Sequence, residues 1–278
     1  MQRLWITQQF LSFYWSADTI YQLHSPFVYE FARQVLEDDR QFYAFRQFEH
    51  LRELLLRTPE SIEVTDFGAG SHRLPSQQRR ISDIARHSLS KAHSCRLLFR
   101  IINAYKPKTL LELGTSLGIS TLYQASAALN SPIITIEGCP QIAKIAQLHF
   151  DRYKLPNIHL LTGPFKTQLP HALAQFPQLD FAFIDGHHDK KATLDYFEQC
   201  LTKAHEQSVF VFDDIYWSKG MKEAWAEICA HPRVRLSIDL FFMGVVFLRS
   251  EQREREHYRL LPWQWKMWKA IGKQLPKQ

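Results

Sequence analysis

Thr109-Leu-Leu-Glu112-Leu-Gly114-Thr115-Ser116-Leu-Gly118-Ile-Ser120 is an apolar run that ends in an acid and turns through two glycines into an apolar-periodic segment. A second apolar run, Pro132-Ile-Ile-Thr-Ile-Glu137, also ends in an acid. Together they outline a βαβ nucleotide-binding unit. Gly114 permits the tight turn, Gly118 lets the helix pack close to the strand, and Glu137 ends the second strand, where a ribose diol would lie. An acid two residues before the first glycine is unusual for dinucleotide sites, which prefer glycines spaced G-x-G-x-x-G. It suits a ligand with a cationic amino-acid moiety and no pyrophosphate.

The same alternation continues on both sides of this unit. From residue 107 to 249, apolar runs occur at 109–113, 132–136, 158–161, 179–184, 207–212, 234–240 and 242–248, and segments of helical periodicity separate the first six. Repeated β-α units predict a parallel sheet with helices on both faces. Leu240-Phe-Phe-Met-Gly244 leaves no room for a helix, so the last strand should run antiparallel. The expectation is a Rossmann-like α/β fold with a seven-stranded sheet over residues 91–250. Residues 1–90 read as an aromatic-rich helical extension, with Ser25 as N-cap and Pro26 at the first helical position. Residues 251–278 read as a basic, Trp-rich tail, packed on its own domain in preference to a membrane or partner surface. A second glycine cluster, Asp66-Phe-Gly68-Ala-Gly70-Ser71, reads as a loop, because a polar stretch follows where a helix should start.

A chain of 278 residues with 45% hydrophobic content can bury a substantial α/β core. No apolar run reaches transmembrane length, and the N-terminus lacks the pattern of a signal peptide, so the cytoplasm is expected. Cys95, Cys139, Cys200 and Cys229 form no C-x-x-C pair, which argues against a thiolate metal site or a disulfide framework. The net charge of +6 is compatible with RNA, although such an excess more often marks a solvated surface.

Chemistry-bearing residues cluster at strand ends. Leu161-Thr-Gly163-Pro-Phe165 follows the third run, where Phe165 could pack on a ligand ring. The fourth ends in Ile184-Asp185-Gly186-His187-His188-Asp189, and the fifth in Phe212-Asp213-Asp214-Ile-Tyr-Trp217. In open α/β sheets that edge is where ligands bind. Adjacent carboxylates raise each other's pKa unless a cation sits between them. Asp185, Asp213 and Asp214 therefore read as three hard oxygen ligands for Mg²⁺ or a similar ion. The bland alternative is that Asp214 caps a turn and Asp213 accepts from backbone amides.

These motifs resemble class I S-adenosylmethionine (SAM)-dependent methyltransferases. E-L-G-T-S-L-G-I-S-T-L, I-D-G-H-H-D and F-D-D-I-Y-W-S are similar to the metal-dependent catechol and caffeoyl-coenzyme A O-methyltransferases, and to a bacterial group with an I-D-G-x-H signature. The resemblance covers residues 90–249. It implies that SAM is held by Glu112, Gly114, Thr115, Ser116, Gly118, Ser120, Glu137, Gly163, Phe165 and Asp185, and that Asp185, Asp213 and Asp214 bind the metal. Asp214 departs from the family, which has a neutral amide there. The family's catalytic lysine corresponds to His188, so His188 and Asp185 are the catalytic candidates, with His187 as competitor. The expected reaction is in-line methyl transfer to a hydroxyl of a small-molecule acceptor. An RNA acceptor and a catalytically silent SAM-binding module are the alternatives, and a homodimer is left open.

Overall fold

The computed structural model describes residues 2–65, 78–251 and 254–266. The glycine cluster at 66–71 lies outside them, as does the end of the tail. Helix α1 (Gln2–Ser16) is followed by α2 (Pro26–Phe31), which begins at Ser25 with Pro26 at its first position, and by α3 (Tyr43–Arg57). A small antiparallel pair, β1 (Ser61–Glu63) and β2 (Gln78–Arg80), leads into α4 (Ile81–Ser88) and α5 (Ala92–Tyr105).

The alternation then runs β3 (Leu110–Leu113), α6 (Ile119–Ala127), β4 (Ile133–Glu137), α7 (Pro140–Tyr153), β5 (Ile158–Thr162), α8 (Phe165–Ala174), β6 (Leu179–Ile184), α9 (Lys190–Leu201), β7 (Ala204–Asp213), α10 (Lys219–Ala230), β8 (Leu236–Asp239) and β9 (Met243–Phe247). Side-chain alternation along each strand builds two cores. Leu111, Leu113, Ile134 and Ile136 face α8, α9 and α10, while Leu110, Ile133, Phe181 and Val209 face α2 and α5. A third cluster docks α3 and α4 against α6 and α7, with Phe45 and Phe48 on the Tyr123 ring at 5.5 and 5.1 Å.

The sheet order is β10-β8-β9-β7-β6-β3-β4-β5, and β9 alone runs antiparallel to its neighbours. The reversal falls at Leu240–Phe242, where Leu240 N–H donates to the Met243 carbonyl at 2.9 Å. The sheet has eight strands where seven were expected. The additional one, β10 (Glu256–Arg259), comes from the tail and adds in parallel to β8, with Tyr258 opposite Ile238. Its sequence, Glu-His-Tyr-Arg, is too short and too polar to announce a strand. An unpaired β8 edge supplies what the local pattern lacks. No helix of the described residues is long and apolar enough to cross a membrane.

Candidate active site

At the carboxyl end of β3 the backbone turns through left-handed conformations at Gly114 (φ +104°), Ser116 (φ +48°) and Gly118 (φ +85°) before entering α6. A Cβ on Gly114 would lie 2.0 Å from the Asp185 carbonyl oxygen, and one on Gly118 would lie 2.7 Å from the Phe150 ring. Both positions need glycine, for conformation and for space. Glu137, at the end of β4, accepts the Ser116 N–H at 2.8 Å and the Cys139 N–H at 2.9 Å. Its carboxylate thereby positions the loop and retains acceptor capacity. The Ser116 hydroxyl is buried and has no hydrogen-bond partner among the described residues. A buried hydroxyl without a partner beside an acid-held backbone turn fits a polar ligand seated there.

Glu112 is fully buried. One of its oxygens accepts from Ser120 Oγ at 2.7 Å and Gln124 Nε2 at 2.5 Å, and the other from Thr135 Oγ1 at 2.7 Å and Thr121 Oγ1. Thr115 joins through Thr135, with 2.6 Å between the two hydroxyls. This acid thus ties the start of α6 to β3 and β4 from beneath the loop. Burial pushes its pKa up to about 7, against the pull of the Thr121, Thr135 and Ser120 hydroxyls. Gly163 (φ +138°) donates its N–H to the Glu137 carbonyl at 2.9 Å. Phe165 starts α8 and packs on the loop after β6, against Gly186, the His187 ring at 5.4 Å and Tyr196 at 5.6 Å.

The three aspartates stand at the ends of β6 and β7. Asp185 accepts from Ser90 Oγ at 3.2 Å and lies 3.8 Å from His188 Nε2. Burial raises its pKa to about 6, with the Asp214 charge adding and His188 opposing. Asp213 is pushed well above the carboxylate range by burial and by the Asp185 and Asp214 charges. Asp214 adopts a left-handed conformation (φ +52°) and donates its N–H to the Phe242 carbonyl at 2.9 Å. Among the described residues, no three His, Cys, Asp or Glu side chains group in a way that could hold a metal ion.

The two histidines part company. His187 Nδ1 is 2.6 Å from the Tyr196 hydroxyl, whereas His188 faces Asp185, with its ring 5.9 Å from that of Trp217. Both are left-handed (φ +63° and +42°), as is Phe241 (φ +71°) in the β8–β9 turn. Ser116, His187, His188, Asp214 and Phe241 thus place strained, non-glycine backbone along one sheet edge, each at a cost of about 1–3 kcal/mol. Such concentration is a mark of functional edges.

Sequence reasoning missed several members of this edge. Ser90 reaches Asp185 from 95 positions away. His93 packs edge-on to Phe242 at 4.5 Å, and Trp265 from the tail lies 6.2 Å from His93 and 6.5 Å from Phe242. Helix α1 closes the far side, where Gln2 donates to the Trp217 carbonyl at 3.1 Å and Phe10 packs edge-on to Phe241 at 5.0 Å. Ser90, His93 and Trp265 carry no local signal, because each becomes notable only through a partner that the fold supplies.

Residues 111–215 match the family model described as "Methyltransferase domain". They span the loop after β3, Glu137 and all three aspartates. Over that segment the chain is similar to methyltransferase domains. Over the aligned residues it is 33% identical to a catechol O-methyltransferase of Niastella koreensis (39% of this chain, 49% of that protein) and 28% identical to one of Mycobacterium tuberculosis (47% and 58%). The chain thus spans about half the length of the curated relatives it matches. Its fold resembles that of an O-methyltransferase from Bacillus cereus in complex with SAH (TM-score 0.53, 18% identity, covering 75% of this chain and 92% of that one). It also resembles a SAM-bound O-methyltransferase from Streptomyces achromogenes involved in tomaymycin synthesis (TM-score 0.54, 15% identity, 80% and 95%).

Proposed function

We propose that the methyltransferase domain is a SAM-dependent O-methyltransferase acting on a hydroxyl of a small-molecule acceptor. The observation that carries this reading is the Ser116 turn held by Glu137, set directly against Asp185 through the Gly114 contact. It puts a nucleoside-type cradle and a proton-accepting group on one edge. The names of the catechol O-methyltransferase relatives support the choice of a hydroxyl acceptor.

SAM supplies a methyl group made electrophilic by its sulfonium. Glu137 would accept from the ribose diol, and Gly114, Thr115, Ser116, Gly118, Ser120, Gly163 and Phe165 would hold the rest of the cofactor. Transfer forms one O–CH₃ bond and breaks one S–CH₃ bond. The sulfur keeps the bonding pair, and the hydroxyl proton must leave. His188, next to Asp185, is the group placed to take it, while Trp217, His93, Phe242 and Trp265 offer flat apolar walls for the acceptor body. Orientation of the acceptor supplies much of the rate.

Asp185, Asp213 and Asp214 offer hard oxygen donors at adjacent strand ends, but they are not grouped as a metal site, so a cation would have to draw them together. Burial, with the neighbouring carboxylate charges adding to it, raises the pKa values of Asp185 and Asp213, and a cation would offset both effects. Those three residues would hold the ion, and its charge would lower the hydroxyl pKa. With catechol as probe acceptor, excess chelator should abolish transfer and added Mg²⁺ restore it. Full activity in chelator would remove the cation from the proposal.

The direct test of the cofactor site is calorimetric. A charged hydrogen bond contributes roughly 1.5–3 kcal/mol, so Glu137→Ala should weaken SAM binding by about 10- to 150-fold. Unchanged affinity in the folded variant would take Glu137 out of the site.

A further inference from the structure

Asp239 is the last residue of β8 and only 1% exposed, and both of its oxygens are engaged. Oδ2 accepts from the Tyr216 hydroxyl at 2.8 Å, and Oδ1 accepts from the Phe241 N–H at 2.8 Å. Arg259 of β10 places its Nε 3.9 Å from Oδ2. Burying a carboxyl is costly unless partners offset it, and here two donors and a guanidinium do so. The Tyr216 ring in turn lies flat on the Phe241 ring, at 4.8 Å and 17°. One buried acid therefore joins the loop after β7 to the turn between β8 and β9, and the stacked rings close the circuit.

Both ends of this clamp lead directly to residues of the acceptor side. Tyr216 precedes Trp217, and Phe241 precedes Phe242, which packs on His93 at 4.5 Å. A further bond ties the same two loops, since the Asp214 N–H donates to the Phe242 carbonyl at 2.9 Å. Phe241 (φ +71°) and Asp214 (φ +52°) are both left-handed, a strain that persists only where the surroundings hold it. Asp239 holds the first through its amide, and with it the turn whose carbonyl holds the second.

We propose that Asp239 is a positioning residue, which through Tyr216 and the Phe241 amide fixes the spacing of the two loops that flank the acceptor. It acts through these two residues and not on the acceptor itself. The inference rests on the reading of this edge as an acceptor site. It makes acceptor fit depend on the C-terminal strands β8 and β10, whereas the turn proposed to hold SAM depends on β3 and β4.

The test compares Tyr216→Phe, Asp239→Asn and, as a control, Ser237→Ala. Tyr216→Phe removes one hydroxyl and keeps the ring on Phe241, so it reads the clamp even where Asp239→Asn fails to fold. Ser237 shares a face of β8 with Asp239 and lies 2.8 Å from His257 Nδ1 of β10, so its loss loosens that junction without touching the clamp. Amide hydrogen exchange is read first, because it needs neither acceptor nor cofactor. Segments 214–217 and 240–242 should exchange about 10-fold faster or more in both clamp variants, and at the parent rate in Ser237→Ala. With catechol as probe acceptor, kcat/KM should fall about 10- to 100-fold in the clamp variants, while SAM affinity stays within about twofold.

Parent-like exchange in both clamp variants overturns the proposal. So does faster exchange with an unaltered kcat/KM, a fall shared equally by Ser237→Ala, or an equal loss of SAM affinity. A parent chain that binds SAM and transfers nothing to catechol instead fails the proposed acceptor class, and the clamp then stands or falls on exchange alone.

Discussion

Glu112→Ala is expected to destabilise the protein by about 3–5 kcal/mol, a large part of a typical folding stability of about 5–15 kcal/mol. Removing this acid strips the acceptor from Ser120, Thr121, Gln124 and Thr135 at once, in a place where water does not reach. Each buried donor left without a partner costs about 1–3 kcal/mol, only partly recovered by hydroxyls turning to one another. Urea denaturation of the variant and the parent measures the loss. A change below about 0.5 kcal/mol would show that the network contributes no net stability.

The same acid makes stability depend on pH, with a definite sign. Its folded pKa of about 7 lies above the ordinary 4.5, so between those values the folded state holds a proton that the unfolded state has released. Stability from this group is fully present below about 4.5, falls as pH rises through the window and levels off above about 7, by roughly 3 kcal/mol at most. Asp185, Asp213 and Asp239 are shifted in the same direction, so the reading is the difference between parent and Glu112→Gln. That variant should show the shallower decline between pH 5 and pH 8. An identical decline would place the titration elsewhere.

Loss of His188 is expected to have the largest effect on turnover. A positioned general base contributes about 10²–10⁴-fold, and His188 is the imidazole that faces Asp185. Asparagine is the informative replacement, because it tolerates the left-handed backbone at this position (φ +42°), where alanine would add strain. His188→Asn should lower kcat by that factor with catechol as probe and leave SAM affinity nearly unchanged. His187→Asn should retain most of the turnover, since its ring is committed to Tyr196. If the two variants lose activity equally, the assignment of the base to His188 fails.

The edge proposed to hold the cofactor was legible in the sequence to an uneven degree. Gly114, Gly118 and Glu137 stand in the turn that their spacing implies, and β6 and β7 deliver Asp185, Asp213 and Asp214 to adjacent ends. What the pattern does not reveal is which way an acid faces. Glu112 and Glu137 both end or nearly end an apolar run, yet one is enclosed by four side-chain donors and the other holds the loop through two backbone amides. Position 112 lies inside β3, where alternation turns its side chain toward α6. Position 137 closes β4, where the Ser116 and Cys139 backbone amides lie within its reach.

The strand–helix alternation, the reversal before β9 and the glycines of the turn were determined by the sequence alone, because each depends on neighbours within a few residues. Apolar runs bury themselves, a link of a few residues admits no helix, and left-handed turns favour glycine. Tertiary structure alone decided the rest. It made Glu256–Arg259 an eighth strand by offering the β8 edge, brought Ser90 to Asp185, and set Trp265 beside His93 and Phe242. Those contacts join residues far apart in the chain, and their free energy appears only when the sheet is already built. No local pattern therefore encodes them.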